Sequence, residues 1–360
     1  MLQTQMVKTM KQLIKDNIDP SDKLSPQELL NSVPGQIALV VSRLIWTSKV
    51  HTSLEAHRKL QEHLIAMQGQ MDIFTVAVTE NLTRLKMLNL HCLIIQTLQQ
   101  RDIIQQFLDI GVTSDSDFLW IAQIRYYWQN DVIINCLAAV IKYCYEYLGN
   151  SSRLVVTPLT ERSYRALLIG YTQHLFGATI GATGTGKTEI IRNLAKDIAV
   201  HHIVFNCTGS LDAASVTKFF KGVAVSGAWI CLDNYNTIAV EVVSVLAQHT
   251  SAVIHALQSN MKAVIFEGLE LPLKTTGFLC ITVDVQCETC SALPANLRVF
   301  LRGVATVIPE WSQIAQILLF SYGYKEAGSL ALKLTTVYKL CDEIFSSQKH
   351  YDFGLYFCLE

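Results

Sequence analysis

Gly181-Ala182-Thr183-Gly184-Thr185-Gly186-Lys187-Thr188 is the stretch on which the reading of this chain turns. Its glycines let the backbone curl tightly enough to aim successive N–H groups at phosphate oxygens, and a helix that follows adds its positive dipole end. With average glycine usage, two fixed glycines followed by Lys and then Ser or Thr arise by chance in roughly one chain of this size in a hundred. The flanks sharpen the signal. His174-Leu175-Phe176 is an apolar entry, and Ile190-Ile191-Arg192-Asn193-Leu194-Ala195-Lys196 leaves with apolar positions at helical spacing, which predicts the order strand, loop, helix. The pattern implies that Gly181 to Thr188 hold a nucleoside phosphate tail. Lys187 would neutralise the β- and γ-phosphates, and Thr188 would offer its hydroxyl to Mg²⁺.

Outward from the loop, short β-branched runs alternate with helical patterns. Strands are predicted at His202–Cys207, Ala228–Asp233 and Gly277–Val283, and helices at Asp212–Ser226 and Thr237–Gln258. That alternation marks a parallel sheet flanked by helices. Lys262–Lys274 reads as a hairpin with Glu267-Gly268 at its tip. From Pro309 the pattern turns helical again. Asp233 closes the apolar run Trp229-Ile230-Cys231-Leu232, and a carboxylate at the end of a strand beside such a loop can hold Mg²⁺ through water. An Asp that merely ends a strand would look the same.

Composition bounds the rest. Of 360 residues half are hydrophobic, enough for two or three domains with proper cores. The 29 basic and 30 acidic residues leave a net charge of −1, which argues against a broad surface for nucleic acid or anionic lipid. No apolar run is expected to approach the roughly 18 to 20 residues that a membrane span needs, since Gln36–Trp46 is broken by Ser42 and Arg43 and Val132–Ile141 is too short, so a soluble protein is expected. Met1 to Asp19 is polar with scattered Lys and lacks the apolar core of a secretory signal, so a reducing, intracellular setting is expected. The ten cysteines sit mostly in apolar stretches, as Cys136, Cys207, Cys231 and Cys280 do, where a free thiol behaves as a small hydrophobe. Cys287-Glu288-Thr289-Cys290 stands without the second pair that a zinc site wants.

Residues 1–150 read as a helical region. Gln36–Val50 and Leu54–Leu98 carry apolar positions three and four apart, punctuated by Pro34-Gly35. Asp115–Tyr147 is aromatic-rich, with only Arg125 and Lys142 among the rings. Packing therefore suits it better than stacking on single-stranded nucleic acid, which interleaves aromatics with basic residues. Gly149-Asn150-Ser151-Ser152 is a turn cluster and sets the boundary to an α/β region over 151–308, with a helical segment over 309–360.

An ordered set of strings resembles the first AAA+ module of dynein heavy chains, especially divergent axonemal ones. It comprises Val156-Thr157-Pro158-Leu159-Thr160-Glu161-Arg162, the phosphate-binding loop, Val204-Phe205-Asn206-Cys207, Lys218-Phe219-Phe220-Lys221-Gly222, Ser226-Gly227-Ala228-Trp229 and Leu293-Pro294-Ala295-Asn296-Leu297. Upstream, Arg125-Tyr126-Tyr127-Trp128 and Tyr145-Glu146-Tyr147-Leu148-Gly149-Asn150-Ser151 look like the end of the dynein linker. The resemblance implies an AAA+ P-loop NTPase fold preceded by an elongated, all-helical linker region, with residues 151–308 as the large subdomain and 309–360 as the start of the small one. It also implies ATP or ADP with Mg²⁺ as ligands, Val156 and Leu159 beside the adenine, other dynein subunits as partners, and a place in the cytoskeleton of a cilium axoneme. Microtubules would be reached only through domains absent from these 360 residues, so the chain reads as a truncated heavy chain without autonomous motility.

Three positions depart from what the resemblance implies or carry its catalytic roles. The acidic pair after the second strand is Asp-Glu in the family and Asp233-Asn234 here. An amide can hydrogen-bond a water without taking its proton, and losing a general base costs about 10² to 10⁴ in rate. The sensor position, usually Asn, holds Asp284, and Arg302 stands where the family carries an arginine finger toward a neighbouring module, although a surface arginine reads alike. The resemblance thus implies a nucleotide-binding module with weakened hydrolysis. The alternative is a scaffold or interaction piece that binds dynein partners through its linker helices while the pocket stays empty.

Overall fold

A computed structural model describes residues 2–18, 32–54, 57–80, 82–209, 211–285 and 294–346. They form two compact units, Met1–Thr157 with Pro309–Glu360, and Pro158–Ile308. The CxxC at Cys287 and Cys290, Leu293 and the segment after residue 346 lie outside the described residues.

The first unit opens with α1 (Leu2–Asp16), α2 (Gly35–Ser53), α3 (His57–Val78), α4 (Arg84–Ile110) and the short α5 (Phe118–Ile121). Helices α2 and α4 are buried on all sides over residues 35–41 and 92–98, whereas α1 buries only Met10 and Ile14. Met71, Phe74 and Val78 of α3 meet Leu90, Leu93 and Leu98 of α4 in one cluster. Trp46, Val50, Met67, Ile104, Phe107 and Trp120 make a second. Gly111 ends α4 in the left-handed conformation at φ 80°, its N–H donating to Phe107 O. The helices Trp311–Ser321 and Ala327–Ile344 belong to this unit, where Ile314 packs with Ile95 and Val155.

The expectation of helix throughout 1–150 needs one correction. Residues 125–142 fold into an antiparallel sheet of β1 (Arg125–Trp128), β2 (Val132–Cys136) and β3 (Ala139–Lys142). These runs are too short for a period to stand out from the apolar text around them. Alternation is visible only once paired, with Val132, Ile134 and Cys136 buried. Trp120, Tyr126, Tyr143 and Tyr145 are buried and pack the unit from within, while Phe118 and Tyr147 are exposed.

The second unit is α/β. Its elements are α6 (Pro158–Thr172), β4 (Phe176–Gly181), α7 (Lys187–Ile198), β5 (His202–Asn206), α8 (Ala213–Ser226), β6 (Trp229–Asp233), a 3₁₀ turn (Tyr235–Thr237), α9 (Val240–Gln258), β7 (Ala263–Phe266), β8 (Leu269–Pro272), β9 (Phe278–Asp284), α10 (Ala295–Arg298) and β10 (Leu301–Ala305). Five strands pair in the order β10-β4-β9-β6-β5, all parallel. Buried on both faces, β6 and β9 are near-continuous apolar runs rather than alternating ones. The strand bearing the glycine-rich loop is interior, and its carboxyl end is where an open parallel sheet receives ligands. The β7–β8 hairpin turns through Glu267 and Gly268 at φ 49° and 80°, the left-handed pair of a type I′ turn. Asp212 caps α8 by accepting from the Ser215 N–H.

Helix α9 corrects a second expectation, because by length and composition alone it could cross a membrane. Its apolar face is instead committed to the fold. Val242, Val243, Leu246, Val253, Ile254 and Leu257 are buried, and the helix packs on α8 and β7.

The sheet core centres on Trp229. It is fully buried, with ring centroids 4.7 Å from Phe278 and 5.4 Å from Tyr171. Its indole N–H is buried without a hydrogen-bond partner among the described residues, so shape and apolar area are what it contributes. Trp229→Ala should lower stability by about 3–5 kcal/mol in urea denaturation, whereas Trp229→Phe, which also removes the unpaired donor, should cost less than half of that.

Candidate functional site

The loop leaves the carboxyl end of β4 and returns directly into α7. Gly184 and Gly186 both stand at φ 76°, with open space where a side chain would go. An ordinary residue strains in that conformation, and glycine does not. Gly181 needs its lack of side chain for a different reason. A Cβ there would lie 2.2 Å from Thr306 Oγ1 and 2.5 Å from the Thr306 carbonyl.

Thr306 is a site residue that sequence reasoning missed. Just past β10, it donates its N–H to Ile180 O at 2.8 Å and shares a hydroxyl contact of 3.1 Å with Thr185. Thr185 in turn donates to Ala182 O at 2.9 Å. The loop is thereby closed on itself and tied to the edge strand. No local pattern signals this, since Thr306 lies far along the chain in an unremarkable run.

Lys187, 9% exposed, donates from Nζ to the carbonyls of Gly181 and Ala182, each at 2.8 Å. Burial pulls its pKa below the ordinary lysine value, while Asp284 and Asp233 pull it back up. The ammonium is therefore held within the loop by two backbone oxygens, in the field of two carboxylates. A cation so placed is suited to phosphate oxygens.

Thr188, the second residue of α7, donates to Asp233 Oδ1 at 3.0 Å, joining the loop to the end of β6. Thr282 of β9 donates to the same oxygen at 2.5 Å and accepts from the Asn234 N–H at 3.0 Å. Asn234 is exposed and left-handed, at φ 53° and ψ 46°. Asn236 grips the backbone of Asp284 from both sides, donating from Nδ2 to its carbonyl at 2.8 Å and accepting its N–H on Oδ1 at 3.3 Å. Asp284 itself lies opposite Gly181 in the β4–β9 pairing. The same carboxylate neighbourhood, with burial as the larger cause, raises the Cys207 thiol to about 12, so that cysteine is an inert core group.

The donor set fits a nucleotide with a divalent cation. Among the described residues no three His, Cys, Asp or Glu side chains converge on one point. Mg²⁺ needs no such cage, because it keeps several waters and takes one or two protein oxygens plus phosphates. Thr188 and Asp233 would supply those oxygens, and the positive-φ glycines leave open space around the loop.

Val156 is half-buried just before α6, and Leu159 stands 42% exposed in the first turn of α6. Arg302 is exposed in β10, opposite Gly177 near the start of β4, and its Cβ and Cγ crowd the position of Gly170 in α6. At the rise of a strand, that is about 13 Å from the loop end of β4.

Residues 143–359 match the profile of the hydrolytic ATP binding site of dynein motor region. Dynein axonemal heavy chain 12 of Homo sapiens is 42% identical over 327 residues, covering 89% of this chain and 10% of that protein. Dynein axonemal heavy chain 1 of Mus musculus is 38% identical over 353 residues, and dynein axonemal heavy chain 3 of Homo sapiens is 39% identical over 351, each covering 97% of this chain. In both cases the chain spans 8% of the relative's length.

The crowding at Gly181 and the openness at Gly184 separate two kinds of damage. Gly181→Ala should destabilise the chain by about 1–3 kcal/mol through the clash with Thr306. Gly184→Ala, opposed only by its backbone angle, should cost about 1 kcal/mol. Urea midpoints of the two variants check the order.

Proposed function

Because this chain belongs to the dynein heavy-chain family, with its match in the hydrolytic ATP binding site of the motor region, we propose that it is a nucleotide-binding motor module in which binding is kept and hydrolysis is weakened. The observation that carries the reading is the convergence of Lys187, Thr188 and Asp233 at the carboxyl ends of β4 and β6, which flank β9. Backbone N–H groups of Ala182 to Thr188 and the dipole of α7 would receive the phosphate tail of ATP or ADP. Lys187 would neutralise the β- and γ-phosphates, and Thr188 and Asp233 would hold Mg²⁺. When bound, that cation supplies charge neutralisation at the transferring phosphoryl group. Val156 and Leu159 would border the adenine.

Weakening is argued from Asn234. A carboxylate there could take a proton from an attacking water, and an amide cannot. Asp284, at the sensor position, adds a negative charge beside the place of the γ-phosphate, which opposes the same step. Arg302, at the amino end of its strand and paired with Gly177 rather than with the loop end of β4, suits a role toward a neighbouring module.

The relatives are named as axonemal heavy chains, and we place this chain likewise with other dynein subunits in the cytoskeleton of a cilium. The segment spans 8 to 10% of those relatives, and microtubule contact would fall to parts of a heavy chain outside it. A second reading, a scaffold that binds dynein partners through its linker helices, is favoured by the exposed Ile65, Ile73 and Val76 of α3 and Leu85 of α4.

A fluorescent ATP analogue decides between the two. It should bind the unaltered chain in a Mg²⁺-dependent way, and Lys187→Ala should reduce affinity at least tenfold by removing a charge-assisted contact. The absence of saturable binding leaves the scaffold reading. Asn234→Glu should raise phosphate release by about tenfold or more, short of the full 10² to 10⁴ of a general base because Glu tolerates the left-handed backbone less well than Asn.

A further inference from the structure

We propose that Thr282 is a positioning residue of the phosphate site, one hydroxyl that both orients the Asp233 carboxylate and pins the Asn234 backbone. The inference deepens the nucleotide reading above and rests on it.

The ladder between β6 and β9 pairs Trp229–Leu232 with Phe278–Ile281 and then stops. The next residues on the two strands, Asp233 and Thr282, are joined by side chain alone. Thr282 is fully buried, so its hydroxyl has no water to turn to. Its polarity is determined by its neighbours. A carboxylate can only accept and an amide N–H can only donate, so the single hydroxyl hydrogen goes to Asp233 and a lone pair receives Asn234. A chain of this kind, N–H to O–H to carboxylate, strengthens along its length.

Two threonines meet Asp233 Oδ1, and they are not equivalent. Thr188 sits half-buried in the first turn of α7, where its hydroxyl is the group that would face the cation. Thr282 is interior and stays on Oδ1. Both hydroxyls bond Oδ1, which leaves Oδ2 as the oxygen for a cation. The same hydroxyl keeps Asn234 left-handed, which sets where the side chain at the former base position points. Valine has the shape of threonine and can do neither.

The test is the Mg²⁺ dependence of nucleotide affinity, measured with a fluorescent ATP analogue on the unaltered chain, Thr282→Val and Thr282→Ser. Partners behind a metal-facing carboxylate typically change metal affinity by about 10- to 100-fold. Thr282→Val should therefore lose about that much of the tightening by Mg²⁺, with metal-free affinity changed little, and Thr282→Ser should restore it. A folded Thr282→Val with undiminished Mg²⁺ dependence overturns the assignment while leaving nucleotide binding in place. An unaltered chain that binds no nucleotide overturns both. Should Thr282→Val fail to fold, hydrogen exchange of the Asn234 amide in the unaltered chain decides. Bonded to a buried hydroxyl, it should exchange about tenfold or more slowly than an exposed loop amide, and exchange at the loop rate would refute the proposal.

Discussion

The backbone at the carboxyl end of β4 turns in the space that Thr306 leaves, and that close approach governs the site. With a 2.2 Å gap from the position of a Gly181 Cβ to the Thr306 hydroxyl, only glycine lets β10 come alongside β4 at the point where the loop begins. Thr306 then bonds Ile180 and Thr185, so the loop inherits the rigidity of the sheet. The cradle is consequently built before any ligand meets it. Preorganised donors need not be ordered at the moment of binding, which is how a short loop can hold a highly charged group.

Electrostatics at the strand ends follows from the same geometry. A buried ammonium is unfavourable alone, and Lys187 is held by carbonyl acceptors within the loop and by the fields of Asp233 and Asp284. The acidic charge that steadies the lysine is spread over two strands that pair with β4 or its neighbour. In the reading proposed above, binding would rest on the loop, Lys187 and Asp233, and bond cleavage on the residue after Asp233. An amide at Asn234 would then weaken the second and spare the first.

Much of the second unit was legible in the sequence because its strands are interior. Trp229–Leu232 and Phe278–Ile281 are uninterrupted apolar runs bounded by polar residues, and the hairpin announces itself by Glu267-Gly268 at its tip. The helix expected from Thr237 begins at Val240 instead, because Thr237 folds back to bond Cys207 O and Asn234 O while Ile238 is extended. The sheet of β1 to β3 was not legible. Four- and five-residue strands in aromatic text carry too few periods to be told from helix. Helix α9 shows the converse, since composition alone cannot tell an apolar helix inside a fold from one inside a membrane.

By itself the sequence determined the elements around the loop, the residue types that meet phosphate and cation, and the family through its ordered strings, because these depend on local backbone demands and on side-chain chemistry. Only the tertiary structure decided which distant residues complete the site. Thr306, Thr282 and Asn236 reach the loop and the acidic strand ends through pairings between strands far apart in the chain. A hydroxyl or an amide carries no mark of its partner until the sheet brings the two within hydrogen-bond distance.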